Sequence, residues 1–557
     1  MQKLKDRRRH PIGKFVPDRV KNGFDSIFVE LFQQFRWSYL PPLMVYLAAG
    51  IAGLTAIVGT FFVKEYLGLS ASFLAGLSFW AGIPWVLKMP LGHLVDLIWR
   101  WKFLLVYFGA GLITLSILIM YGLIAHTSFL TTYMNVEAWY VTSTLLAPVG
   151  YVIQDVVADA MTVEAVPSRD EHGIEYSQQA SRSMHTTMQT LGRFAIVSGL
   201  IVVAAINIIL FSGVENMSAD EKAATYATIY LAALFIPMIS IAGVVLGQIM
   251  LHQRAGQMRK QGISEKKIRA DLFQLSDKTE ANMWIFAGSA VFVVFTMTMG
   301  LSDFPFAQEV IFVGSMLIVL FLISRLIKAL DRDAARALIG TAIIIFMFRA
   351  VPLPGAGATW FEIDILDFDQ HFLSILSLIT SLLALVGMVV LRPLMANHSI
   401  AYIVVLLTVA AGILSLPNIG LYYGIHEWTA TVTDGIVDAR FIAIIDAAIE
   451  SPLGQISMIP MLAWIARNAP SNLKATFFAV MASFTNLALS ASSLATKYLN
   501  KLFIVTREVA DKSSSEIITP ADYSELGMLL ITVTLIIVTL PLTTVFIVQH
   551  SRYKTTQ

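Results

Sequence analysis

The amino-acid sequence predicts an all-α polytopic membrane protein. Hydrophobic residues make up 56% of its 557 residues and charged residues only 14%, so little polar surface remains to cover a soluble protein of this length. Apolar runs of about 20 residues, the length at which an α-helix spans a bilayer, recur along the chain. Cysteine is absent, which excludes disulfides and thiolate metal sites.

About fourteen apolar runs are candidate spans. They lie near 41–63, 71–90, 103–125, 138–165, 186–212, 226–250, 282–303, 308–327, 338–353, 372–391, 399–417, 438–465, 474–496 and 527–549. Most of the 39 Lys and Arg residues fall on the N-terminal arm, on alternate loops and on the C-terminal tail. The positive-inside rule therefore predicts that both termini are cytoplasmic.

The spans group into two related lobes. The predicted segments are an arm with an amphipathic helix at 1–40, a six-helix N-terminal lobe at 41–251, a basic cytoplasmic loop at 252–281, an inserted helix pair at 282–328 and a six-helix C-terminal lobe at 338–550. Residues 61–74 resemble residues 360–373 without gaps, and each segment joins the first two spans of its lobe. Related halves with a substrate site between them are the usual construction of secondary transporters.

Two of these segments allow a second interpretation. The arm is either an interfacial helix or a lid packed on the cytoplasmic mouth. The basic loop is interpreted as a solvated helix in preference to a nucleic-acid surface, so no nucleic-acid partner is expected.

The fourth span carries two carboxylates in an apolar run. Asp155 and Asp159 are four residues apart and therefore share a helix face. Charges at this depth cost several kcal/mol and usually line an aqueous path or pair within the bundle. The pair either contacts substrate or proton in a cavity, or holds a cytoplasmic gate closed by pairing with a cation. The candidate cations are Arg193, Arg100 and Lys102.

The segment from Gly92 to Lys102 resembles the signature loop of the major facilitator superfamily. Gly92, Leu94, Asp96, Arg100 and Lys102 match that pattern, whereas Leu97 and Trp99 depart from it. The resemblance implies that Gly92, Asp96, Arg100 and Lys102 form a gate latch. An ordinary charged turn is the alternative.

Within that superfamily the chain is most similar to the folate–biopterin transporter family. The likeness lies in residues 77–96, which contain Ile83-Pro84-Trp85 and Lys88, in residues 155–164, and in residues 469–486, which end at Asn486. Gln154-Asp155 and the long connection after Glu164 also resemble muropeptide permeases and acetyl-CoA transporters. Fourteen spans exceed the usual twelve, and the second group is known to contain an extra span pair.

The resemblance implies that the first and fourth helices of each lobe line a central cavity. Asp446 and Glu450, four apart on span 12, would then be the counterpart of the span-4 pair, and Arg349 on span 9 would face the same cavity. Arg349 would bind an anionic substrate group, while one or more of the four carboxylates takes up a proton. Alternatively, Arg349 is a structural partner of Asp446 or Glu450.

Other residues carry smaller expectations. Arg193, on span 5, is grouped with the binding residues, and Gln154 and Gln455 are either cavity contacts or polar links between helices. Pro352 and Pro354 predict a break in span 9. The Gly/Ala run 48–53 predicts close helix packing, and the acidic connection 362–369 is interpreted as a solvated turn.

These observations predict a transporter and not an enzyme. The sequence contains no P-loop, no H-E-x-x-H and no G-x-S-x-G motif, and no cofactor or metal site is expected. The predicted function is proton-coupled transport of an organic anion, first a folate or pteridine and second a muropeptide, an acyl-CoA or another anionic metabolite. A non-transporting sensor on the same fold is a further alternative. The expected state is a monomer in a bacterial inner membrane.

Overall fold

The structure is a computed structural model of the chain, and it describes residues 35–555 except 68, 87, 167–177, 274–290, 292, 297, 300–303, 328–330, 391–397, 455–473 and 511–516. The predicted amphipathic helix of the arm therefore lies almost wholly outside the described residues. The same holds for most of span 7, for part of the basic loop and for Gln455.

Helices α1 to α11 come from the N-terminal lobe and the basic loop. They are α1 Leu40–Ile51, α2 Ala56–Tyr66, α3 Ala71–Val86, α4 Lys88–Leu97, α5 Lys102–Ala125, α6 Thr127–Leu130, α7 Val136–Ala165, α8 Gln178–Leu210, α9 Ala219–Ala233, α10 Phe235–Lys260 and α11 Glu265–Phe273. A 3₁₀ turn at Ala52–Thr55 joins α1 to α2. Side-chain caps fix two of the helix starts: Asn135 accepts from the Ala138 N–H at 2.8 Å, and Ser218 forms a reciprocal capping box with Glu221.

Helices α12 to α20 follow. They are α12 Ala307–Ile327, α13 Arg332–Arg349, α14 Ala356–Asp364, α15 Gln370–Val390, α16 Ile400–Tyr422, α17 Ile425–Val432, α18 Ala439–Gly454, α19 Lys474–Leu502 and α20 Leu526–Gln549. Between α19 and α20, the short strands β1 Val509–Ala510 and β2 Ile517–Thr519 pair antiparallel.

The helices agree with the predicted membrane architecture. Eight described helical segments are long and apolar enough to cross a bilayer, and 71–86 and 307–321 are shorter apolar helices. Thirteen of the predicted spans coincide with described helices. The seventh lies largely outside the described residues, so the count of fourteen stays a prediction.

Two local predictions are confirmed. Span 9 is broken, because α13 ends at Arg349 and α14 begins only after Gly355, whose φ is +82°. The Gly/Ala run permits close packing of α1 on α8, since a Cβ added at Gly50 would lie 2.1 Å from the Ile196 carbonyl oxygen.

The lobes meet along two pairs of helices. Helices α3 and α4 pack on α19, and α8 packs on α15. The Asn486 amide donates to the Trp85 carbonyl at 3.1 Å across the first pair. Helix α12 of the inserted pair lies over this seam, where Gln308 donates to the Gly76 carbonyl at 3.2 Å and accepts from Lys497 at 2.8 Å.

The bundle has two distinguishable ends. The end at which α1 begins and α20 ends is called the terminal end, and the opposite end, which carries β1 and β2, is called the hairpin end. The sequence prediction places the terminal end in the cytoplasm.

Candidate transport site

A cavity of about 980 Å³ lies between the two lobes, toward the hairpin end. Both lobes contribute residues to its wall. These residues lie on α2 and α14, which belong to the first span of each lobe, on α7 and α16, and on other helices. The aromatic and polar lining residues include Tyr140, Tyr151, Tyr230, Trp360, Phe361, Glu362 and Asn418. A large, mostly apolar cavity with a few polar groups is typical of sites for organic ligands.

Next to the cavity, toward the terminal end, lies a group of paired charges within the N-terminal lobe. The Lys88 Nζ lies 2.5 Å from Asp155 Oδ2 and 2.8 Å from Asp159 Oδ2. The Tyr46 hydroxyl donates to Asp159 Oδ1 at 2.5 Å. We call Tyr46, Lys88, Asp155 and Asp159 the Lys88 cluster. Tyr151, in the cavity wall, is one helical turn from Asp155 on α7.

Two arginines from opposite lobes interact electrostatically in this region, one of them with the cluster itself. Arg193, on α8, is exposed, and its positive charge attracts Asp155. Arg349, at the end of α13, is half-buried, and it is close enough to Arg193 for the two guanidinium groups to repel each other. The cluster and the arginines together carry three positive and two negative formal charges, a sum of +1.

The C-terminal lobe arranges its carboxylates differently. Asp446, on α18, is only 7% exposed and accepts from the Asn418 amide at 3.1 Å. Its negative charge also acts on Glu362, which lies in the cavity wall. Of Glu450, only the backbone is described.

Among the described side chains of the gate motif, Lys102 and Arg100 make contacts with residues other than Asp155 and Asp159. Lys102 is buried and pairs with Glu164 at 2.5 Å, and it also lies 3.9 Å from the Trp99 ring centroid. Arg100 is exposed and lies over Trp101. Gly92 is on α4, as is Asp96, of which only the backbone is described. Lys88 is thus the residue that bridges Asp155 and Asp159.

Gln154 lies inside the N-terminal lobe. It is 3% exposed, and its amide donates to the Val106 carbonyl on α5 at 3.3 Å. Of the two roles left open for this residue, the structure therefore supports the polar link between helices.

Three residues near the cavity were not singled out as site residues from the sequence. Lys88 was noted only as part of a family likeness, although a lysine inside an apolar run is itself a signal of a buried ion pair. Tyr46 gave no signal, because a tyrosine in an apolar helix is common. Glu362 was interpreted as part of a solvated turn, yet it lines the cavity.

At the hairpin end, polar contacts join the two lobes directly. Lys64, on α2, pairs with Asp364, on α14, at 2.5 Å. The Gln370 amide on α15 donates to the Tyr226 hydroxyl on α9 at 2.6 Å. The Tyr523 hydroxyl also donates to Asp364 at 2.5 Å, and burial together with this carboxylate raises the pKa of Tyr523. We call the contacts of Lys64 and Tyr523 with Asp364 the Asp364 latch.

Solved structures share this fold. A POT family transporter in complex with a thioalcohol-conjugated peptide has a TM-score of 0.59 and 13% sequence identity, covering 93% of this chain and 96% of that chain. A POT family transporter in complex with 5-aminolevulinic acid has the same TM-score and 14% identity, with the same coverage of both chains. The predicted major facilitator fold is confirmed by this likeness.

The sequence comparisons agree. A folate-biopterin transporter from Synechocystis sp. (strain ATCC 27184 / PCC 6803 / Kazusa) is 22% identical over 459 residues, which are 81% of this chain and 72% of that protein. The profile of the BT1 family matches residues 49–556. The chain is therefore a multi-pass membrane transporter, not an enzyme, and it belongs to the BT1 family.

Proposed function

We propose that this protein is a secondary active transporter that moves an organic anion by alternating access, coupled to proton uptake. Folates or pteridines are its first candidate substrates. The observation that carries the proposal is a cavity between the two lobes with the Lys88 cluster beside it; Arg193 and Arg349, from opposite lobes, interact electrostatically with each other.

An anion between these arginines would be attracted to both. Arginine suits this role because its planar guanidinium binds carboxylate or phosphate oxygens in a bidentate manner. Such a ligand binds best in the arrangement of the lobes that brings Arg193 and Arg349 together, and less well in the arrangement that separates them. Its differential affinity for the two arrangements then shifts the equilibrium between them, which is the requirement for a carrier.

The Lys88 cluster offers a place for the coupled proton. One lysine faces two carboxylates, and Asp155 is additionally attracted by Arg193. When a substrate anion engages Arg193, Asp155 loses part of this compensation. A proton on Asp155 or Asp159 would then restore the local charge balance, so substrate and proton favour each other.

The cavity supports a sizeable organic substrate with a ring. Its aromatic residues supply flat apolar surfaces, and the similar protein from Synechocystis is named as a folate-biopterin transporter. Muropeptides and acyl-CoA serve as competing ligands in the test.

The test is uptake of labelled folate into proteoliposomes, with and without an inward proton gradient. We expect uptake that the gradient stimulates and that excess unlabelled folate or pteridine suppresses. Suppression by a muropeptide or acyl-CoA alone would overturn the substrate assignment. Ligand binding without any uptake would overturn the carrier assignment and favour a sensor.

Arg349 provides the sharper test of anion binding. Arg349→Gln removes the charge, and we expect a loss of roughly 30-fold or more in uptake efficiency, because truncating one partner of a buried charge contact typically costs at least 2 kcal/mol. Arg349→Lys keeps the charge without the planar fork, so the loss should be smaller and should appear mainly in KM. Arg336→Gln, an exposed arginine on the same helix that pairs with Asp333, is the control and should transport normally.

A further inference from the structure

Glu362 places a carboxylate in the aromatic wall of the cavity. It follows Trp360 and Phe361 on α14, and those two side chains are 2% and 8% exposed. Tyr140, Tyr151 and Tyr230 of the other lobe line the same cavity. A ligand that fills this part of the cavity would therefore meet one acidic group surrounded by rings.

Among the described residues, no hydrogen bond or ion pair engages the Glu362 carboxylate. Asp364, two residues further on, contacts both Lys64 and Tyr523. Asp446, which is also negative, repels the charge of Glu362. Lys64 and Tyr523 are thus directed to Asp364, while Glu362 lies in the cavity wall.

A half-buried carboxylate in such surroundings is costly unless donors reach it, and hydrogen bonds to a charged acceptor are stronger than those to a neutral one. A flat heteroaromatic ring with adjacent N–H groups would supply two parallel donors to one carboxylate. The same ring would stack against the aromatic side chains of the wall. Asn418, also in the wall, offers an amide for a further polar contact.

The separation from Arg349 fits a ligand with two different ends. Glu362 lies 13 positions after Arg349, on the other side of the break between α13 and α14. A substrate with a donor-bearing ring at one end and carboxylates at the other would place its ring at Glu362, in the cavity wall, and its carboxylates toward Arg349.

We infer that Glu362 is a specificity-determining residue, whose carboxylate accepts two N–H donors from the flat heteroaromatic ring of the substrate. This inference rests on the proposed function, because it assigns the ring end of the proposed folate or pteridine substrate. It predicts discrimination between rings that differ in a single donor.

The experiment compares two competitors of folate uptake, 2-aminopteridin-4-one and pteridin-4-one, which differ only by the 2-amino group. The wild-type protein should bind the 2-amino compound at least about tenfold more tightly than pteridin-4-one, because a site built to hydrogen-bond a donor rejects the analogue that lacks it. In Glu362→Gln this ratio should fall to within about twofold, since an amide presents one acceptor oxygen and a donor instead of two acceptors. Glu427→Gln, an exposed glutamate at the hairpin end, is the matched control and should keep the wild-type ratio.

Binding of both compounds to the purified protein, followed by quenching of its 10 tryptophans, provides a second readout. If Glu362→Gln fails to fold, Glu362→Asp replaces it and should give an intermediate ratio. A wild-type protein that does not discriminate the two compounds, or a variant that discriminates as well as wild type, overturns the inference. Failure of the proposed function has a different signature, which is binding with full discrimination but no uptake.

Discussion

The sequence predicts that α7 and α18 are the fourth helices of their lobes, and both carry carboxylates, but the surroundings of these carboxylates differ. On α7, Asp155 and Asp159 share the ammonium of Lys88. On α18, Asp446 accepts from the neutral amide of Asn418 and interacts with a second negative group, Glu362. The carboxylates of the two helices therefore contact different kinds of groups.

This difference favours different roles in transport for the two lobes. An ion pair between a carboxylate and a cation is lost when the carboxylate takes up a proton. Ion-paired carboxylates therefore suit a contact that forms and breaks with protonation during the transport cycle. Glu362, which no hydrogen bond or ion pair engages among the described residues, gains most from a donor brought by a ligand. The comparison therefore supports the proposal that coupling depends on the N-terminal lobe and ring recognition on the C-terminal lobe.

The largest expected effect comes from removing the cation of the N-terminal lobe. Lys88→Met leaves Asp155 and Asp159 facing each other without their shared partner, and because these groups are only partly buried we expect a cost of about 2 kcal/mol, below that of breaking a fully buried pair. We expect a corresponding loss in the free energy of unfolding, measured by denaturant titration in detergent with tryptophan fluorescence. Uptake should lose its dependence on the proton gradient.

A compensated variant separates stability from coupling. Lys88→Met combined with Asp155→Asn and Asp159→Asn removes the cation together with both carboxylates, and it should recover much of the lost stability without recovering proton-dependent uptake. If the triple variant is as unstable as Lys88→Met alone, the destabilisation comes from packing and the electrostatic account of this cluster is wrong.

A smaller effect should have opposite signs in the two lobes. Asp155→Asn removes a charge that Lys88 attracts, so we expect it to lower stability by about 1–2 kcal/mol. Asp446→Asn removes a charge that Glu362 repels and keeps an oxygen that can accept from Asn418. It should therefore leave stability unchanged or raise it slightly. The same denaturant titration measures both variants side by side, and equal losses in the two would contradict the comparison.

The fold was predictable from the sequence because its signals are local. Apolar runs of spanning length, the distribution of Lys and Arg, and the Pro352 and Pro354 break each depend on neighbouring residues. The helix pairs at which the lobes meet were not predicted, because contacts between distant helices have no local signal.

The site was only partly predictable for the same reason. The depth of Asp155, Asp159 and Arg349 in apolar helices marked them as unusual. Their partners lie on other helices: Lys88 is 67 residues from Asp155 along the chain. Glu362 was misjudged because the acidic residues after it suggested a solvated turn, whereas the helix break turns α14 into part of the cavity wall.

The smallest expected effect concerns the Asp364 latch at the hairpin end, where the lobes touch each other. Lys64→Gln removes one partner of Asp364 but leaves Tyr523, and partly exposed ion pairs contribute at most about 1 kcal/mol. The population with separated hairpin ends should therefore rise by up to about fivefold.

Because the chain has no cysteine, spin labels at Ser70→Cys and Ile365→Cys would report this separation by electron-spin distance measurement. Lys501→Gln, an exposed lysine at the same end, should leave the distribution unchanged. If Lys64→Gln instead leaves the separation unchanged while Tyr523→Phe alters it, the Tyr523–Asp364 contact within the C-terminal lobe, and not the ion pair between the lobes, controls the separation. The latch would then depend on the C-terminal lobe alone, and the contrast between an ion-paired N-terminal lobe and a ligand-dependent C-terminal lobe would apply only to the region next to the cavity.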